Sequence, residues 1–231
     1  MTKIDKRIDY VIVLDTEACP IDKTLEGVHA DNMFTYDIGY AVCDKHGKVY
    51  LTRSFVIADI FYGESDLMKS AHYNKKLPQY HRDIENGTRK VVSFAKACKT
   101  FREDMRTYNV SKVFAHNHRF DVTALNITSR WVSKSAYRYF YPYGTKLYDT
   151  MNMARQVIAT TPTYRAFCER EGYMTKNGKP QVKAEVIYKY ISGNYDFDES
   201  HTGLEDVMIE KEIFAHCIRQ HKPMRKLAFG A

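Results

Sequence analysis

The chain has 231 residues, a net charge of +7 and a hydrophobic share of 44%, enough for one substantial core burying roughly 70–75% of its unfolded surface. Its five cysteines are odd in number and widely spaced, with no C-x-x-C pair, which argues against a disulfide framework and a cysteine zinc site. The opening MTKIDKRIDYVIV is too short an apolar run for a signal peptide, and no stretch approaches the roughly 18 apolar residues of a membrane span. The expected setting is therefore cytoplasmic, intracellular and reducing, with no membrane partner. The excess of Lys and Arg favours polyanionic partners, because binding phosphates releases condensed counterions.

No repeat, low-complexity tract or Pro/Gly/Ser linker interrupts the sequence, so residues 1–231 are expected to form a single domain. The first predicted strand is Ile8–Leu14, whose Tyr10-Val-Ile-Val-Leu14 core is continuously apolar and reads as a buried central strand. Thr35–Asp44 and Lys48–Ile57 flank the turn-like Asp44-Lys-His-Gly47 and read as an antiparallel hairpin. Residues 58–88 are polar and irregular, a loop with short helical pieces. From Val91 the period changes: Val91, Phe94, Cys98, Phe101, Met105 and Tyr108 recur at steps of three and four, a helix. Lys112–Ala115 is a short apolar strand. Phe120–Trp131 is helical with Asp121 in its first turn. Lys146–Tyr148 is a strand and Thr150–Ile158 a helix. Two more helices are expected near Thr163–Glu171 and Pro180–Ile191. The last begins at Thr202, where T-G-L-E predicts a capping box between Thr202 and Glu205. The order β-β-β-α-β-α-β-α followed by helices predicts an α/β fold: a mixed central sheet, its first three strands antiparallel and the rest parallel, flanked by helices.

Three segments carry candidate chemistry. In Val13-Leu-Asp-Thr-Glu17 the two acids are two residues apart, so on a strand they share a face. The expected place is just past the end of the strand. Adjacent carboxylates repel unless a cation neutralises them, and hard cations prefer such oxygen ligands. In Phe114-Ala-His-Asn-His-Arg-Phe-Asp121 an acid follows an apolar strand at a helix start. In His201-Thr-Gly-Leu-Glu-Asp206 a loop imidazole precedes a carboxylate in a first helical turn, an arrangement suited to a base that takes a proton from water. Each also has a plain structural reading: a solvated strand end, an acid complementing a helix dipole, a surface His before a capped helix.

Taken in order, the three resemble the DEDD exonuclease superfamily, specifically its histidine branch (DEDDh, DnaQ-like), on a ribonuclease-H-like fold. Leu14-Asp-Thr-Glu17 looks like the family's D-x-E strand, His116-Asn-His-Arg-Phe-Asp121 like its "HN…FD" motif, and His201 to Asp206 like its H-x-x-x-x-D. Tyr148-Asp-Thr-Met-Asn-Met-Ala-Arg155 is a weaker echo of the strand–helix junction that follows. The resemblance spans residues 10–218. It implies that Asp15, Glu17, Asp121 and Asp206 hold two divalent ions, Mg²⁺ or Mn²⁺, about 3.5–4 Å apart. It makes His201 the general base and the product a nucleoside 5′-monophosphate released from a 3′ end. Glu17 and the Thr16 backbone are the expected contacts to the terminal 3′-hydroxyl. Asn117 is a substrate contact or, on the plain reading, a helix cap. The expected partners are single-stranded DNA or RNA 3′ ends, with DNA favoured. A homodimer or a polymerase is a further candidate partner, and the alternative readings are a catalytically silent nucleic-acid-binding module and a polymerase-docking proofreading subunit of the same fold. Ala18-Cys-Pro20 departs from the Thr and Gly that often follow the acids in relatives, which bears on substrate choice.

Three further features have weaker readings. His116 and His118 form H-x-H, a ligand pair too small for a transition-metal site. Ala136–Gly144 interleaves aromatics with Arg138 and reads first as a loop packed on the core, second as a base-stacking platform. Arg219–Lys226 is basic and reads as a solvated tail.

Overall fold

A computed structural model describes residues 4–22, 24, 29–198 and 202–224. Strands β1 (Val11–Pro20), β2 (Met33–Cys43) and β3 (Val49–Ile57) form an antiparallel meander in which β2 pairs with both others. Three short helical pieces follow: α1 (Ala58–Phe61), α2 (Ser65–Met68) and α3 (Leu77–Glu85). Then come β4 (Lys90–Val92), α4 (Phe94–Thr107), β5 (Lys112–Ala115), α5 (His118–Ser133) and β6 (Lys146–Asp149). Four helices complete the chain: α6 (Thr150–Val157), α7 (Pro162–Arg170), α8 (Ala184–Ser192) and α9 (Gly203–Arg219). The six-stranded sheet has the order β4-β3-β2-β1-β5-β6. β4 pairs parallel with β3, β5 with β1 and β6 with β5.

The period-two pattern of the strands divides the core into two layers. Tyr10, just before β1, and Ile12 and Leu14 of β1, with Ile38, Tyr40 and Val42 of β2, pack on one face against Phe94, Phe101 and Met105 of α4. Val11 and Val13, with Ala41 and Cys43, pack on the other face against Met153, Ile187, Ile213 and Phe214. Residues two apart share a face, so Asp15 and Glu17 extend the row of Val11 and Val13 toward α6, α8 and α9. Each buried apolar side chain of this size contributes about 1.5–3 kcal/mol relative to exposure. The layers therefore hold the site's strand from both sides.

Two expectations are corrected. β1 does not stop at Leu14; it continues through Pro20, so Asp15 and Glu17 lie within the strand, before a register shift between Glu17 and Ala18. The continuing ladder to β2, through Cys19↔Phe34 and Pro20↔Met33, is the long-range pairing that a local apolar run does not reveal. Val91 is not helical but belongs to edge strand β4, and α4 starts three residues later. There the Ser93 hydroxyl accepts from the Lys96 N–H at 3.2 Å, the usual N-cap arrangement. A strand of three residues is too short to show a period. Among the described residues no helix is long and apolar enough to cross a membrane.

Candidate active site

β1 supplies the floor. Asp15, Glu17 and Asp206 each offer a carboxylate oxygen, all within 4.8 Å of one another. Asp206 arrives from the other end of the chain on the first turn of α9, and a pair of glycines lets it come so close. Gly39 is the ladder partner of Asp15 on β2. A Cβ built on Gly39 would lie 2.2 Å from the carbonyl carbon of Gly203 and 2.3 Å from the Leu204 nitrogen. The backbone of α9 thus rests directly on the sheet. Its first N–H, from Gly203, donates to Asp37 Oδ2 at 3.2 Å. Asp37 in turn accepts from the Tyr80 hydroxyl at 2.6 Å and from Arg89 at 3.3 Å. Arg89 is itself buried, stacks on Tyr80 at 4.5 Å and also binds Asp83 and Glu205. Burial raises the Asp37 carboxyl above its ordinary value, although Arg89, Tyr80 and Gly203 all favour its charged form.

The predicted capping box is therefore replaced. Thr202 occupies the N-cap position, but its side chain accepts no capping hydrogen bond. Its hydroxyl donates to the Glu205 carboxylate instead, and Asp37 caps the helix from β2, the strand on which it rests.

Asp121 enters on the first turn of α5 and is buried. Its Oδ1 accepts from the Thr16 hydroxyl at 2.8 Å, which ties it to the residue between the two β1 acids. A further acid was missed by the sequence reading. Glu210, buried, lines the same cleft and accepts from the His116 backbone N–H at 3.1 Å. It lies four residues after Asp206, on the same helical face; that spacing was the available signal. Burial first, then the charges of Glu210, Asp121, Glu17 and Asp206, push the Asp15 carboxyl well above its ordinary value. Burial also lifts Asp121 to about 7, against the opposing hydrogen bond from Thr16. A buried to half-buried set of carboxylates that mutually oppose ionisation, with only oxygen donors, matches the needs of a hard divalent cation. The residues present fit such an ion.

The remaining predicted residues fall as follows. Asn117 has the left-handed φ of 64° at the N-cap position of α5, yet its side chain makes no capping hydrogen bond. Its backbone N–H donates to Asp149 Oδ1 at 3.1 Å. Asp149 also caps α6 through Met151 and Asn152, so the weak echo at 148–155 is a brace that fixes the Asn117 loop. Thr16 and Asn117 both line the cleft. His201 lies outside the described residues. His116 and His118 turn to separate partners, Thr150 and Val182 for one, Tyr148 and Tyr141 for the other, so they do not form a joint metal site. Burial lowers both imidazoles, His118 to about 4. In the aromatic run Phe140 is buried, while Tyr137, Tyr139 and Tyr143 are exposed, so the core-packed reading holds for only part of it. The basic run is described only to residue 224.

Asp15, Glu17, Asp206 and Glu210 open onto a cleft of about 990 Å³. No protein-family model matches the chain, and no curated protein sequence is similar to it. Solved structures nevertheless share its fold. A full-length 3′-exonuclease matches over 97% of this chain and 65% of its own, with 13% identity and a TM-score of 0.54. Escherichia coli exonuclease I in complex with a dA16 oligonucleotide matches over 89% and 40%, with 13% identity and a TM-score of 0.55. Its zinc-bound form in complex with single-stranded DNA matches over 89% and 39%, with 12% identity and a TM-score of 0.54. The fold is ribonuclease-H-like. The chain spans 39–65% of the lengths of these neighbours.

Proposed function

We propose that the protein is a metal-dependent 3′→5′ exonuclease of the DEDDh type, acting on single-stranded ends, with DNA favoured over RNA. The observation that carries this reading is the meeting of Asp15, Glu17 and Asp206 within 4.8 Å on a cleft floor, with Asp121 tied to the same strand through Thr16. The structural neighbours support it: among them are exonuclease I complexes with dT13 and dA16 oligonucleotides.

Asp15, Glu17, Asp121 and Asp206 are the proposed holders of Mg²⁺ or Mn²⁺, two ions in the family's scheme. Bound there, such ions lower the pKa of a water and stabilise charge on the phosphodiester oxygens. The chain's own groups do the rest. Glu17 and the Thr16 backbone receive the terminal 3′-hydroxyl, and Asn117 contacts the terminal nucleotide. His201 takes a proton from the attacking water; a base of this kind contributes about 10²–10⁴-fold. Water adds to phosphorus, the bond to the departing 3′-oxygen breaks, and that oxygen takes up a proton. The products are a nucleoside 5′-monophosphate and a strand one residue shorter.

The test uses 5′-labelled single-stranded DNA and RNA with Mg²⁺, Mn²⁺ or EDTA, beside Asp15→Ala and His201→Ala. Stepwise shortening from the 3′ end that requires both metal and Asp15 is expected. Binding without shortening in either metal defeats the enzyme reading and leaves a silent nucleic-acid-binding module. Full activity in His201→Ala defeats the assigned base.

A further inference from the structure

The cleft has two unlike walls. Its floor is acidic, through Asp15, Glu17, Asp206 and Glu210, whereas Thr175, Gln181 and Lys183 line the side formed by the segment before α8. That segment is braced. The Thr175 N–H donates to the Lys179 carbonyl at 2.8 Å and the Gln181 N–H to the Tyr173 carbonyl at 2.9 Å. A bridge pairs Met174 with Pro180, and Gly178 supplies the φ of +67° at the tip. Two side chains fasten it to the body. The Tyr164 hydroxyl donates to the Gln181 carbonyl at 2.7 Å, and His116 Nε2 lies 2.7 Å from the Val182 carbonyl. A carbonyl only accepts, so Nε2 carries the proton and Nδ1 accepts from the Thr150 hydroxyl at 3.1 Å. The backbone N–H of the same residue holds Glu210. His116 therefore links wall and floor.

The wall is also basic. Lys176, Lys179 and Lys183 all belong to it, and the adjacent acid, Glu185, is engaged by Lys189 at 2.7 Å. Lys183 is exposed and lines the cleft. At about 990 Å³, the cleft is at the upper end of the roughly 300–1,000 Å³ range of small-molecule sites, room for more than one nucleotide. A polyanion whose reacting phosphate lies on the floor then passes the wall that presents Lys183 to the cleft.

We propose that the Thr175–Lys183 segment is the strand-gripping wall of the cleft, with Lys183 pairing to a phosphate upstream of the 3′ end and His116 the positioning residue that holds it there. This rests on the nuclease reading above and adds to it where the strand leaves the floor.

The test is anisotropy of a 5′-fluorescein-labelled dT12 oligonucleotide with Ca²⁺ in place of Mg²⁺, titrated from 50 to 200 mM salt. Mn²⁺ binding, followed by electron paramagnetic resonance, reads the acidic floor separately. Lys183→Ala is expected to weaken binding several-fold and to reduce the salt slope by about 0.7, the single-strand value for one phosphate. His116→Ala is expected to do the same, and His116→Gln, whose amide N–H faces the Val182 carbonyl, to restore most of the loss. An unchanged slope in Lys183→Ala overturns the wall while leaving the nuclease reading intact. Loss of Mn²⁺ binding in His116→Ala that Gln does not rescue overturns the positioning role. A wild-type protein that neither binds nor shortens the oligonucleotide defeats the nuclease reading itself.

Discussion

Gly39→Ala is the sharpest probe of how the site is assembled, because Gly39 touches no ligand. The added Cβ would meet Gly203 C, Leu204 N and Gly203 O at 2.2, 2.3 and 2.4 Å, all backbone atoms that no side-chain rotation can move. An ordinary van der Waals contact begins near 3.4 Å, so the start of α9 must retreat by about 1 Å, and Asp206 with it. Overpacking of this kind costs about 1–3 kcal/mol, or roughly 2–12 °C in Tm at about 2–4 °C per kcal/mol for a chain of this size. A misplacement of about 1 Å costs on the order of 10²-fold in rate. Gly203→Ala is a graded control, since its Cβ would lie 2.8 Å from the Gly39 nitrogen and 3.4 Å from the Asp15 carbonyl oxygen. Thermal unfolding with and without Mn²⁺, together with the oligonucleotide assay, reads both effects. Gly39→Ala should lose stability, the Mn²⁺-induced rise in Tm and activity, each more than Gly203→Ala does. If Gly39→Ala melts like the wild type and keeps its response to Mn²⁺, the close contact between β2 and α9 is not what places Asp206.

Other outcomes follow from the same geometry. Asp15→Asn should abolish activity and Mn²⁺ binding yet raise the Tm of the metal-free protein, because it removes the charge its neighbours oppose; a lower metal-free Tm would contradict the repulsion. Asp121 lies at about 7 against an ordinary value of 3.8, so the folded protein holds a proton that the unfolded chain releases. Its contribution to stability is complete below about 3.8 and is lost as pH rises through about 7. The metal-free Tm should thus fall across that window, and Asp121→Asn should flatten the fall; a Tm with the same slope in both proteins would remove Asp121 as the cause. Arg89→Met should cost about 3–5 kcal/mol by leaving the buried Asp37 carboxylate uncompensated, and adding Asp37→Asn should recover part of it. A double variant no more stable than the single one would show that the pair is not coupled.

Much of this arrangement was legible in the sequence because it is local. The apolar run of β1, the steps of three and four along α4 and the D-x-E spacing are carried by neighbouring residues, and all appear where expected to within a few residues. What could not be read depends on pairings distant along the chain. The extension of β1 to Pro20 requires its ladder to β2. The cap of α9 comes from Asp37, 166 residues earlier. The brace at Asp149 joins two loops 32 residues apart. Glu210 lies between these cases: its spacing from Asp206 was visible, but only the seating of α9 on Gly39 turns that face toward the floor.

The topology explains why the acids collect at this edge. β1, β5 and β6 are mutually parallel in sheet order, so their carboxyl ends lie together, and such edges are where open α/β sheets bind ligands. There the chain sets Asp15 and Glu17 in β1, Asn117 after β5 and Asp149 at the end of β6. The metal-free floor works against folding, since each added carboxylate raises the cost of ionising the others. The surrounding frame of Gly39, Gly203, Asp37 and Arg89 works for folding, and it holds the floor in place before any ion arrives. Neutralising the floor and disturbing the frame should therefore both silence the proposed reaction while moving metal-free stability in opposite directions. That opposition separates residues that would touch the metal from residues that hold them.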